Sequence, residues 1–589
     1  MHPLFFVFVI ATAILSTGCV QTVSKETIVG DYLSARFAER TQDIPGAADR
    51  YGKVHAASPA SEEILRDAFF FKLTAGDAQG AFPHAARLIA RDVDDGLATM
   101  VLAAKAIREG DFEGAQSLLE TNDQAEYLIS TANILYGWSS VGQGGPRAGL
   151  AAMKERGGDE FKGFYPFHHA NLLEALGDDA SARAAYQLST AAFGGSIEYL
   201  AYGSFLERQG DLDEAREFYQ VIRGERGGVS EAAKRALVRI DRGASPASFR
   251  QYTPQEGAAI AFYSLGRAIL QQSENQRIAA QRAGFRLPLS GYNLPLAMVR
   301  TALYLDPDFD EARHLAGRVL SLYENHEAAI DEFDQIKKKS PYYPEARANV
   351  ASSLAALERD DAAIRTLEAA IKSARDPRDL QFSLASLLAT RDRFDEAVAV
   401  MDQLIAELPE ETPRAWQYYI VRGDAQLQQD NWPAALADLK KAYDLAPEEP
   451  TTLNYLGYSW AERGENLDEA FALIEQAIAL NPSSGAIIDS LGWAHFQLGN
   501  HQEAVGHLEQ AASLEPSDPT ITDHLGDVYW RLGRMVEAGY QWQRVLELEP
   551  GDELAKTVRD KLKNGLSVDL PEPRLKPKRT PQPALDTGQ

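Results

Sequence analysis

The residue types that most often carry chemistry are sparse in this chain: eleven histidines and one cysteine, Cys19. One cysteine excludes an internal disulfide and any cysteine-based metal site. His168-His169 is the sole adjacent histidine pair, and adjacent residues on a helix do not face the same way. His495, His501 and His507 lie six apart, which is not the i, i+4 spacing that lets two helical imidazoles share a metal. Each reads as a packed or solvated helix residue. No Gly-rich phosphate loop follows a strand, and no motif organises the abundant Ser, Asp and Glu into a nucleophile and its base. The sequence therefore points to no catalysis, no metal and no cofactor. With 85 acidic against 59 basic residues the formal charge is −26, which argues against nucleic acid, since a binding face there needs clustered Lys and Arg.

Cys19 matters by its position. Leu4 to Leu15 (LFFVFVIATAIL) is apolar but too short to span a bilayer as a helix, and small residues and the cysteine follow it. The stretch Leu15-Ser16-Thr17-Gly18-Cys19 resembles a bacterial lipobox, with two departures: Ser16 stands where Leu is usual, and the segment before the apolar run has His2 but no Lys or Arg. That resemblance implies cleavage before Cys19 and acylation of it, and two or more acyl chains make a stable anchor. Val20 follows, with no Asp to suggest inner-membrane retention, so the expected location is the outer membrane, facing the periplasm. The alternative is an ordinary cleaved leader, an incidental Cys19 and a soluble periplasmic protein.

The elements are legible as a repeat. Pro482, Pro516 and Pro550 close three units 34 residues apart, and Ala446-Pro447 closes an earlier one. A small residue sits twelve before each proline, at Ala435, Ala470, Ala504 and Ala538, with a bulky residue four later at Leu439, Ile474, Leu508 and Trp542. Leu456-Gly457, Leu491-Gly492 and Leu525-Gly526 open the units. Small residues let paired helices approach closely, the i, i+4 pair makes one apolar stripe, and proline ends the second helix. The small-residue phase extends back through Ala397, Ala363 and Ala329, and again through Ala215, Ala182, Gly149, Ala115, Ala81 and Ala47.

This pattern is similar to the tetratricopeptide repeat (TPR) family, which implies an all-α, right-handed solenoid of antiparallel helix hairpins. The expected organisation is a leader (1–18), a lipid-anchor linker (19–30), an N-terminal array (31–226), a joint and long insertion (227–292), a C-terminal array (293–550), a capping helix (551–565) and a Pro-rich basic tail (566–589). Ala280 to Tyr292 reads as a long loop, either functional or a tolerated insertion. Leu554, Val558 and Leu562 read as the buried stripe of the capping helix. The tail, with Arg574, Lys576, Lys578 and Arg579, is either a tethered binding peptide or a plain extension.

In TPR proteins the first helix of each pair lines the binding side. By that resemblance Asn454, Tyr458, Asp489, Trp493, Phe496, Asp523, Asp527, Trp530 and Arg531 form a groove for a protein segment, acidic and aromatic enough to favour a basic or amide-rich one. The aromatics are equally suited to filling space between neighbouring first helices. Tyr458, Trp493 and Asp527 stand where a carboxylate-clamping groove has Lys and Asn, which disfavours that ligand class. The whole also resembles outer-membrane TPR lipoproteins that act as adaptors for periplasmic carboxyl-terminal processing proteases, presenting cell-wall hydrolases to them. That implies a non-catalytic scaffold whose partners are other proteins, with a membrane anchor and an open question of homo-oligomerisation. The alternative is a TPR scaffold for polysaccharide export or pilus/secretion assembly.

Overall fold

The computed structural model describes residues 25–566 except 94, 121–125, 158–164, 194, 224–227, 283–286, 410–411, 413 and 549. Cys19, the apolar run before it and the basic tail lie outside the described residues. Among the described residues every regular element is helical, and no helix is long and apolar enough to cross a membrane. Two compact units divide the chain: Met1–Ala279 with Arg286–Ala363, and Ala280–Phe285 with Ile364–Gln589. Residues 227–279 of the expected joint thus fall within the first unit.

Successive helices pair as hairpins, and the small-residue phase explains why. Ala47, Ala81, Ala115, Ala182 and Ala215 in the first unit have no exposed surface, nor have Ala397, Ala435, Ala470, Ala504 and Ala538 in the second. Four residues on, Tyr51, Tyr219, Met401, Leu439, Ile474, Leu508 and Trp542 are buried to the same degree. The glycine of the first helix receives that bulky side chain: a Cβ on Gly492 would sit 2.8 Å from Leu508, and one on Gly526 would sit 2.6 Å from Trp542. At Gly457 the nearest atom is backbone, the carbonyl oxygen of Ala470 at 2.7 Å, which cannot swing aside. Gly457→Ala is therefore expected to cost about 1–3 kcal/mol, read as a lowered denaturant midpoint. An unchanged midpoint would mean that the two helices do not approach this closely.

The turns repeat as well. Gly499 (φ 80°) and Gly533 (φ 78°) end first helices in the left-handed conformation, and Glu324, Glu358 and Asp392 hold the same conformation without glycine. Asp43, Ser61, Asp77, Asp95, Ser484 and Asp518 cap helix N-termini by accepting backbone N–H bonds. Helix Glu126–Gly157 is a hairpin in disguise, broken at Gly145 (φ 76°, ψ −172°) before Pro146.

In the first unit the face made by the first helices is covered by the chain itself. Helix Pro254–Arg282 lies across it: Gln255 Nε2 donates to the Ile107 carbonyl at 3.2 Å, Gly257 abuts Trp138, and Arg267 pairs with Glu198 at 3.3 Å. Helix Asn293–Leu305 packs on Glu62–Thr74 and Gly96–Glu109, with Tyr304 edge-on to Phe82 at 5.0 Å. The expected loop at Ala280–Tyr292 is corrected at both ends. Ala280, Gln281 and Arg282, all good helix formers, continue the helix, and Leu289–Tyr292 forms one 3₁₀ turn. Residues 283–286 lie outside the described residues.

Candidate functional site

In the second unit part of the first-helix face remains open. Helices Trp416–Gln428, Pro450–Arg463 and Gly485–Gln497 enclose a pocket of about 100 Å³. Asn454 and Tyr458, one turn apart on the middle helix, line it with Asp424, Glu449, Tyr455 and Ser484. Asn454 is 9% exposed and its Oδ1 has no hydrogen-bond partner. Burial holds the Tyr458 hydroxyl well above its usual range, and the charges of Glu462 and Asp489 add to that.

The other residues expected in a groove are packed within the chain. Asp489, 3% exposed, accepts from His524 Nδ1 at 3.0 Å. Trp493 stacks on His524 (centroids 3.7 Å, planes 13° apart) and on Phe496 (4.7 Å, 13°), and both Trp493 and Phe496 are buried. Asp523 and Asp527 are buried around Lys561, whose Nζ donates to both carboxylates at 2.7 and 2.8 Å. Asp527 also accepts from Trp542 Nε1 at 3.0 Å. Trp530 packs on Trp542 (5.4 Å) under Gly565, where a Cβ would come within 2.0 Å of its ring. Arg531 is half-buried.

Of the nine residues, seven thus form three groups: Asn454 and Tyr458 at the pocket, Asp489 and Trp493 on His524 with Phe496 stacked behind Trp493, and Asp523 and Asp527 around Lys561; Trp530 and Arg531 lie outside these groups. Asn454, Asp489 and Asp523 are equivalent repeat positions, each facing the next first helix. There Asp489 meets His524 and Asp523 meets Lys561, whereas Asn454 Oδ1 meets nothing.

His524 and Lys561 were missed by sequence reasoning. Lys561 also corrects the expected buried stripe of the last helix, Asp552–Asn564: Leu562 is 36% exposed and Lys561 8%. The acids waiting at Asp523 and Asp527 turn that helix by one position, a demand visible only once the helices are side by side.

One turn beyond Tyr458, burial pushes the Glu462 carboxyl up to about 7, an effect that Arg463 offsets in part. Its folded pKa thus exceeds the ordinary 4.5, so the folded state holds the extra proton between these values. Stability from this group is full below the lower value and falls as the pH rises through the window. Glu462→Gln is expected to flatten stability between pH 4.5 and 7 and to exceed wild type above it. Parallel pH profiles for the two proteins would contradict this.

The pocket presents carboxylate, amide and hydroxyl side chains together with two tyrosines. Among the described residues, no group of three or more His, Cys, Asp or Glu is placed to hold a metal.

A family model described as tetratricopeptide repeat matches residues 351–412, 420–485 and 490–553. The chain is 39% identical over 67 residues to a TPR repeat-containing protein of Pseudomonas aeruginosa, a match covering 11% of this chain and 11% of that protein. The chain is therefore aligned with about a ninth of the length of this relative. Among solved structures, similar chains include one from the APC/C hetero-tetramer Cut9–Hcn1, with 15% identity, a TM-score of 0.37, and coverage of 92% of this chain and 96% of that one. Another is PilW, a type IV pilus biogenesis factor, with 18% identity, a TM-score of 0.32, and coverage of 37% and 97%. The family match lies on the hairpins just described, so the chain carries tetratricopeptide repeats over residues 351–412, 420–485 and 490–553, within a fold whose described elements are all helical.

Proposed function

We propose that this chain is a non-catalytic protein-binding scaffold of the bacterial cell envelope, held to the outer membrane through lipid on Cys19, which presents substrates to a periplasmic carboxyl-terminal processing protease. The observation that carries the scaffold reading is the contrast between two first-helix faces. In the first unit that face is filled by helices Pro254–Arg282 and Asn293–Leu305, whereas in the second a pocket at Asn454 and Tyr458 is left open. A repeat array that covers one such face and leaves another open reserves the second for a partner. The export reading is supported by the run Leu4 to Leu15 followed by Cys19, and the protease reading by the resemblance in layout.

Affinity capture from an envelope extract of the native host tests this, with wild type beside Asn454→Leu/Tyr458→Ala and mass spectrometry as readout. A processing protease and wall hydrolases recovered with wild type and lost with the variant are the expected result. Recovery of export or pilus components instead would overturn the protease role and leave the scaffold. Cys19→Ser is expected to release the protein from the membrane fraction, and unchanged fractionation would sink the lipid anchor.

A further inference from the structure

The open pocket is selective in its chemistry. Of the residues that line it, the two charged ones, Asp424 and Glu449, are both acidic. The buried group left without a partner, Asn454 Oδ1, is an acceptor. An unmet buried acceptor costs about 1–3 kcal/mol, a cost that a ligand donor removes. Tyr455 and Tyr458 border the same space, and tyrosine rings attract a cation. A volume near 100 Å³ is the scale of one side chain rather than of a folded element. Lysine and arginine side chains carry donors alone and no acceptor. On a chain of formal charge −26 a basic segment is also drawn in from a distance.

We infer that this pocket receives a single lysine or arginine side chain from an extended segment of the bound protein, the cation lying between Asp424 and Glu449 and donating to Asn454 Oδ1 against the two tyrosine rings. The inference rests on the scaffold reading and specifies its ligand. Half-buried carboxylates strengthen such a bond relative to water.

The test is selection of a phage-displayed library of random linear peptides on the full chain, followed by titration of the selected peptides. Enrichment of Lys or Arg at one position is expected. Asp424→Asn and Glu449→Gln, near-isosteric changes that keep the fold, are each expected to weaken the selected peptides roughly ten-fold or more. Asn454→Leu is expected to weaken them while raising the stability of the free protein, because it removes the orphaned acceptor; a merely structural asparagine would not give that opposite pair of effects. Selected peptides that lack a basic residue, or that bind the acid-to-amide variants as tightly as wild type, would overturn the inference and leave the scaffold reading standing. If the chain enriches no peptide at all, the inference falls together with the reading beneath it.

Discussion

Lys561→Met is expected to cost the C-terminal end of the chain about 3–5 kcal/mol, because it strands two buried carboxylates, Asp523 and Asp527, without their cation. Burial by itself would lower the Lys561 pKa, but Asp527 and Asp523 raise it further than burial lowers it. The folded pKa thus lies above the ordinary 10.5, so the contribution is complete below that value and is lost as the pH rises through the folded one. Amide hydrogen exchange over helices Pro519–Arg531 and Asp552–Asn564 reads the effect locally. Adding Asp523→Asn and Asp527→Asn to Lys561→Met is expected to return much of the loss, since neutral partners are cheaper to bury than unpaired charges. Protection as strong in Lys561→Met as in wild type would show that the ammonium does not sit between these acids.

Trp138→Ala carries the second large effect, about 3–5 kcal/mol in the first unit. Trp138 has no exposed surface, packs on Gly257 and donates from Nε1 to His168 Nδ1 at 3.0 Å. Burial, with a smaller contribution from His169, pushes His168 down to about 3, so it stays neutral and able to accept that bond. The substitution opens a cavity beneath helix Pro254–Arg282 and orphans the imidazole nitrogen. Limited proteolysis is expected to cut within 242–282 faster than in wild type, and Trp138→Phe, which keeps most of the volume, is expected to lie between. Equal cleavage rates for all three would contradict the seating of this helix on the first helices.

Much of the fold was legible in the residues because close helix pairing leaves a local mark. Ala470 with Ile474, or Ala504 with Leu508, states in five residues which face is buried and how near its partner lies. Gly149 kept the same phase even where a kinked double helix replaces a plain hairpin. What was not legible depended on contacts between separate elements. In residues 254–279 the repeat shows only in Gly266, which sits on Pro295 and Val299 as the glycine of a hairpin split by a long insertion, and contacts with Trp138, Ile107 and Glu198, more than fifty residues away in sequence, hold the rest in place. The candidate site shows the same limit. Type and position alone made Asp489, Trp493 and Asp527 look like ligands for a partner, yet His524 and Lys561 take them up from within the chain. Asn454 and Asp489 are indistinguishable as repeat positions, and only the neighbouring helix decides which of them keeps a free acceptor.

The central claim is that a partner binds at the first-helix pocket of the second unit, and site-specific photo-crosslinking in the native host tests it most directly. A photoreactive side chain placed at Tyr455, on the pocket wall, is compared with one at Tyr540, which is 68% exposed on helix Met535–Glu547. The expected result is a discrete protein adduct from position 455 that disappears when Asp424→Asn is added, with none from position 540. Adducts from position 540 with none from 455, or a 455 adduct indifferent to Asp424→Asn, would contradict the account.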